Sequence, residues 1–198
     1  MTNFVGPIYT PNVYITGDLY NDYLVPGLAL GKNVSSPDLE DFRGGLEQNA
    51  FAGTGVTVEQ GYFTVHILHD IKPETFPTFH IHCGHNIDSG TYTADSANVK
   101  WYLDYSICNG YGNEAFPAPT TLSTTIAMGS QYDHDITPDD MALTETIEPD
   151  MLILGRIYRD PADAADTFGY DCFLFQVDLH YQIGQIGTTE RNRPFRRF

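Results

Sequence analysis

Val99-Lys100-Trp101-Tyr102-Leu103-Asp104-Tyr105-Ser106-Ile107 decides the fold class. Its odd positions are all apolar or aromatic, and its even positions are mostly polar. Successive side chains of a strand point to opposite faces, so this pattern is a strand with one buried face. The same period of two appears on both sides. Upstream, Phe63, Val65 and Ile67 alternate with Thr64 and His66, and Phe79 and Ile81 with His80 and His82. Downstream come Leu122, Thr124, Ile126 and Met128, then the apolar run from Met151 to Tyr158. Last, Phe173, Phe175, Val177, Leu179 and Tyr181 alternate with Leu174, Gln176, Asp178 and His180. Loops rich in Gly, Pro, Asn and Asp separate these runs, and no long helical period competes. The expectation is an all-β chain, an antiparallel, jelly-roll-like β-sandwich over residues 51–190.

Residues 1–50 read differently. Pro7, Pro11 and Pro26, with Gly6, Gly17, Gly27 and Gly31, break the segment into short apolar pieces. It is expected to be an extended N-terminal arm that reaches a partner subunit, with one short helix. Ser36 would cap that helix, Pro37 would open it, Asp38 and Glu40 would fill its first turn and Gly44-Gly45 would stop it. Residues 191–198 form a third segment, a basic tail carrying Arg191, Arg193, Arg196 and Arg197.

At 198 residues the chain suits one domain, and it carries 26 acidic against 10 basic residues, a net charge of −16. So acidic a body repels phosphates, which argues against nucleic-acid binding and against anionic membranes. Hydrophobic residues at 41% and aromatics at 13% exclude disorder as the default state. Cys83, Cys108 and Cys172 are odd in number and widely spaced, as in thiols kept reduced in a cytoplasm. Residues 1–7 show no basic or apolar signal-peptide pattern, and synthesis in a cytoplasm is the expectation.

The sharpest chemical feature is Phe79-His80-Ile81-His82. A spacing of two puts both imidazoles on one face of a strand, and Asp178 and His180 repeat that spacing on a later one. If the two strands pair, His80, His82 and His180 become candidate ligands for zinc, iron or manganese. A His-x-His strand in a sandwich invites comparison with the cupins, which would make the chain a metalloenzyme. However, the glutamate usual in cupins, four or five residues after the second histidine, is replaced here by Asn86 and Ile87. The commoner fate of such histidines is a hydrogen-bonded polar layer or a subunit contact. No nucleophile elbow, phosphate loop or calcium loop is present, so no catalytic residue and no cofactor are expected. Arg156, on a face with Leu154 and Tyr158, calls for a carboxylate partner, with Asp104 and Asp178 as candidates.

Taken in order, the motifs are His66-Ile67-Leu68-His69-Asp70, Pro77-Thr78-Phe79-His80-Ile81-His82, Val99-Lys100-Trp101-Tyr102-Leu103-Asp104-Tyr105, Gly155-Arg156-Ile157-Tyr158-Arg159 and Val177-Asp178-Leu179-His180-Tyr181-Gln182, followed by Ile186-Gly187. Their order resembles that of a family of β-sandwich structural proteins of tailed-bacteriophage virions, over roughly residues 56–190. Cys83 departs from it, standing where the family has an aromatic. The resemblance implies a capsid or tail component. The leading expectation is a capsid decoration, or cement, protein on the outer shell, a homotrimer clamping the major capsid protein; a neck or tail component is the alternative. Its expected partner contacts are Phe4, Ile8, Tyr9, Tyr14 and Tyr20 from the arm, and Arg193, Phe195, Arg196, Arg197 and Phe198 from the tail.

Overall fold

A computed structural model describes residues 18–25, 28–30, 36–111, 114–138 and 140–184. Its strands are β1 (Leu19–Leu24), β2 (Ala29–Leu30), β3 (Asp38–Arg43), β4 (Leu46–Phe51), β5 (Glu59–His66), β6 (Thr78–Gly84), β7 (Asn98–Asn109), β8 (Thr120–Ala127), β9 (Asp135–Ile136), β10 (Met151–Arg159) and β11 (Cys172–Ile183). The five-stranded sheet runs β2-β5-β10-β7-β8 and the six-stranded one β3-β4-β11-β6-β9, with β1 also on β11. Every strand pair is antiparallel. The chain is an all-β sandwich, as the alternation predicts.

The inward residues of β7, Val99, Trp101, Leu103, Tyr105 and Ile107, are all buried, and so are Phe79, Ile81 and Cys83 of β6. Strand β10 crosses the middle of its sheet with Ile153, Gly155, Ile157 and Arg159 on the core side. Gly155 faces Phe63 on β5 and Tyr105 on β7. A Cβ there would lie 2.2 Å from the Phe63 ring, so the ring fills the space a side chain would need. Gly155→Ala is therefore expected to lower stability by about 1–3 kcal/mol through overpacking. Urea unfolding measures this, and a loss below about 0.5 kcal/mol, within the range of ordinary surface changes, would mean that Phe63 gives way freely.

Arg159 is an unusual core residue. It is fully buried, with Nε and Nη2 each 2.8 Å from the Asp166 carboxylate oxygens. Its remaining donors go to the carbonyls of Phe51 (3.0 Å), Tyr170 (2.8 Å) and Phe168. Asp166 also accepts from the Lys100 backbone at 3.1 Å. A planar fork of five donors is thus met by carboxylate and carbonyls, which a buried guanidinium requires. This hub ties the 160–170 loop to β4 and β7.

Three expectations need correction. The short helix does not form: residues 38–51 are a β-hairpin, β3 and β4, hydrogen-bonded into the six-stranded sheet through β11. Gly44 and Gly45, at φ +62° and +89°, make the two-residue turn rather than a helix stop, and positive φ at both central positions is what such a hairpin turn requires. Burial of Ala50 and Phe51 then holds β4 in the sheet against any local helical preference. Nor are residues 1–50 only an arm, since β1 pairs with β11 from Leu19↔Ile183 to Leu24↔Asp178.

The third correction concerns β11. The register shifts between Leu174 and Gln176, so the inward parity changes at Phe175. Cys172 and Leu174 pack in the core before this bulge, and Val177, Leu179 and Tyr181 after it. Phe173 and Phe175 instead meet Phe42 of β3, at ring-centroid distances of 5.2 and 4.8 Å. A bulge puts two residues opposite one, which turns the side chains that precede it to the other face.

The three cysteines are unpaired and buried. Cys83 projects into the core, on the face opposite to His80 and His82. Its hydrogen bond with Cys172 and its burial push its thiol well above the ordinary range.

Candidate functional site

Alternation that sends Phe79, Ile81 and Cys83 inward sends Thr78, His80 and His82 to the outer face of the six-stranded sheet. On β11, Asp178 and His180 share that face; Asp178 lies opposite His80, and His180 opposite Thr78. Strand β1 contributes Asp22, directly opposite His180. Thus His80, His82 and His180 do share one face of neighbouring strands, with the His80 and His180 ring centroids 5.2 Å apart.

Asp178 lies at the centre of this group, its side chain only 6% exposed. His82 Nε2 is 2.9 Å from Asp178 Oδ2, and His82 Nδ1 is 2.8 Å from His134 Nε2. A carboxylate only accepts, so His82 donates through Nε2, and in the neutral ring its Nδ1 accepts from His134. His80 Nδ1 lies 3.4 Å from Asp178 Oδ1, and that buried oxygen accepts no hydrogen bond among the described residues. His180 Nδ1 is 2.7 Å from Asp22 Oδ1, and Tyr20 stacks on the His180 ring at 5.0 Å and 17°. One potential ligand atom from each of Asp22, His80 and His180 falls within 4.8 Å of the others. His82 is not in that trio; Asp178 and His134 engage its two ring nitrogens.

Other imidazoles have structural partners. His85 is buried between Tyr92 and Phe168, donating from Nε2 to the Gly129 carbonyl (3.0 Å) and accepting at Nδ1 from the Ile87 amide (3.1 Å). His66 and His69 both reach Asp150 Oδ1, at 3.2 and 2.8 Å, and Tyr111 donates to Asp150 Oδ2 at 3.0 Å. Burial works to raise the Asp150 carboxyl, but the His69 and Tyr111 hydrogen bonds, with the charge of both imidazoles, outweigh it and hold the group below its usual range.

On the outer face of the other sheet, Arg156 finds Asp104, with Nε 3.1 Å from Oδ2, and Gln60. It also lies over the Tyr158 ring, which stacks on Tyr102 at 5.0 Å and 7°. The carboxylate partner expected for Arg156 is therefore Asp104, its cross-strand neighbour, and not Asp178. Tyr102 donates to Asp163, and that hydrogen bond, then burial, pushes its phenol up to about 12.

Of the expected partner contacts, Tyr20 is on β1 and more than half exposed. Phe4, Ile8, Tyr9, Tyr14, Arg193, Phe195, Arg196, Arg197 and Phe198 lie outside the described residues. The site residues that sequence reasoning missed are Asp22 and His134. Asp22 joins the cluster only through the β1–β11 register, and His134 only through the loop leading to β9.

No family model, curated protein or solved structure matches this chain.

Proposed function

We propose that the chain is a virion structural protein of a tailed bacteriophage, a capsid decoration protein that binds the outer shell as a homotrimer. One observation carries this reading: the motifs behind the resemblance fall on neighbouring strands and have structural tasks. Trp101 and Tyr105 fill the core, Arg159 holds a loop to the sandwich, and Asp178 bonds His82 and lies beside His80. Residues that hold a scaffold together suit an assembly subunit, whose work is done by its surface.

That surface offers apolar side chains on the strands that precede the core strands. Leu19, Tyr20 and Leu24 on β1, and Leu39 and Leu46 on the β3–β4 hairpin, are each about half exposed or more. Apolar side chains rimmed by polar ones are a common make-up of subunit interfaces. A neck or tail position is the alternative within the same class, and copy number separates the two. A metalloenzyme reading draws on the Asp22–His80–His180 trio, but the trio lies on an outer sheet face. That position suits holding an ion more than enclosing a substrate away from water.

The test is quantitative mass spectrometry of purified particles, together with light scattering of the isolated chain. Capsid decoration predicts a trimer in solution and on the order of hundreds of copies per particle, following shell symmetry. About six or twelve copies would move the chain to the neck or tail. A monomer absent from particles would overturn the virion reading.

A further inference from the structure

We propose that Asp22, His80 and His180 bind one divalent first-row transition-metal cation, zinc being the ion to try first, as a staple across β1, β11 and β6. The argument starts from register. Antiparallel pairing sets Asp22 of β1 opposite His180 of β11, and His80 of β6 one diagonal step away, so adjacent strands each offer a donor on one face. The donor atoms already lie within 4.8 Å of one another. Two imidazoles and a carboxylate are a donor set suited to zinc, manganese or ferrous iron, and bonds of about 2.0–2.2 Å would draw the three together.

Asp178 provides the second, independent observation. It is buried, its Oδ2 is used by His82, and its Oδ1 accepts no hydrogen bond while lying 3.4 Å from His80 Nδ1. An acidic oxygen kept out of water without a hydrogen bond calls for a reason. Ion binding supplies one. A histidine that gives one ring nitrogen to a metal presents the other N–H to a carboxylate, which fixes the ring and strengthens it as a ligand. Asp178 is placed to do this for His80, and Tyr20 stacked on His180 holds the second imidazole. At His180 the ion would replace the proton now shared with Asp22 across 2.7 Å.

The task of the ion follows from where it lies. Among the described residues, strand β1 is paired along one side, by β11, and its residues are mostly exposed. A cation joining it to β6, two strands away, would fix it more firmly. The charge of the chain as a whole, −16, favours a cation.

The test uses the full chain, stripped with a chelator and titrated with Zn²⁺ against a colorimetric competitor, with Co²⁺ absorption as a second probe. One equivalent is expected, and Asp22→Asn, His80→Ala and His180→Ala should each weaken binding at least about tenfold, with Asp178→Asn weakening it about 10–100-fold. Zinc should also slow proteolysis within residues 18–24 of the unmodified chain and leave that of His180→Ala unchanged. Asp22→Asn sits on an exposed strand and keeps the test valid if a histidine variant fails to fold. A chain that takes up no Zn²⁺ or Co²⁺ would overturn the proposal. So would equal Zn²⁺ affinity in Asp22→Asn and the unmodified chain, or uptake that disappears in a His66→Ala/His69→Ala variant, which would place the ion at Asp150.

Discussion

Arg159→Ala is expected to lower the unfolding free energy by about 3–5 kcal/mol, a large part of the stability of an ordinary domain. The reason is what remains behind. Asp166, whose side chain is 1% exposed, would be a buried carboxylate without its cation, and the carbonyls of Phe51, Phe168 and Tyr170 would lose their donor. Lysine cannot substitute, because a single ammonium does not present donors in a planar fork to a carboxylate and three carbonyls. Replacing both charges, as Arg159→Met with Asp166→Leu, should recover much of the loss, since it removes the uncompensated charge along with the pair. Urea unfolding followed by circular dichroism measures all four proteins. A loss below about 1 kcal/mol for Arg159→Ala, the size expected of an exposed pair, would show that water reaches Asp166.

Trp101→Ala should cost about the same, 3–5 kcal/mol, for a different reason. Trp101 is the largest fully buried side chain and packs edge-on against Phe51 at 5.1 Å and 78°. Its removal leaves a void that close-packed neighbours refill only in part. Trp101 also pairs across the strands with Arg159, whose guanidinium bonds the carbonyl of that same Phe51. The two losses should therefore not add: the double variant is expected to fall short of the sum, because both changes loosen one neighbourhood. Strict additivity within about 0.3–0.5 kcal/mol would refute this coupling.

These two residues show what was legible and what was not. Trp101 could be read directly, because alternation along β7 leaves no choice of face. Arg159 was open to the same reasoning, since it shares parity with Ile153 and Ile157, but its charge hides an inward role until Asp166 is brought to it. The pairing of His80 and His82 with Asp178 and His180 followed from matching period-two spacings on two strands. Asp22 could not be found that way. Its segment has no clear period, and only the register of β1 on β11 carries it to His180. The hairpin at 38–51 was misread because Ser-Pro-Asp fits helix-start grammar, while the Gly-Gly pair carries a hairpin signal just as well; burial of Phe51 decided between them. At Phe175 a continuous apolar alternation ran through a bulge, and nothing in side-chain period alone marks where parity changes.

The burial of every cysteine has a practical consequence. Alkylating reagents attack thiolates they can reach, so Cys83, Cys108 and Cys172 are silent in the folded sandwich and become reactive only as it opens. Their rate of modification is then a clock for transient exposure of the interior, strand by strand, once the modified peptides are separated. A dye can also be attached at an added cysteine in a place such as Val56, which is 88% exposed, while the native three stay in position.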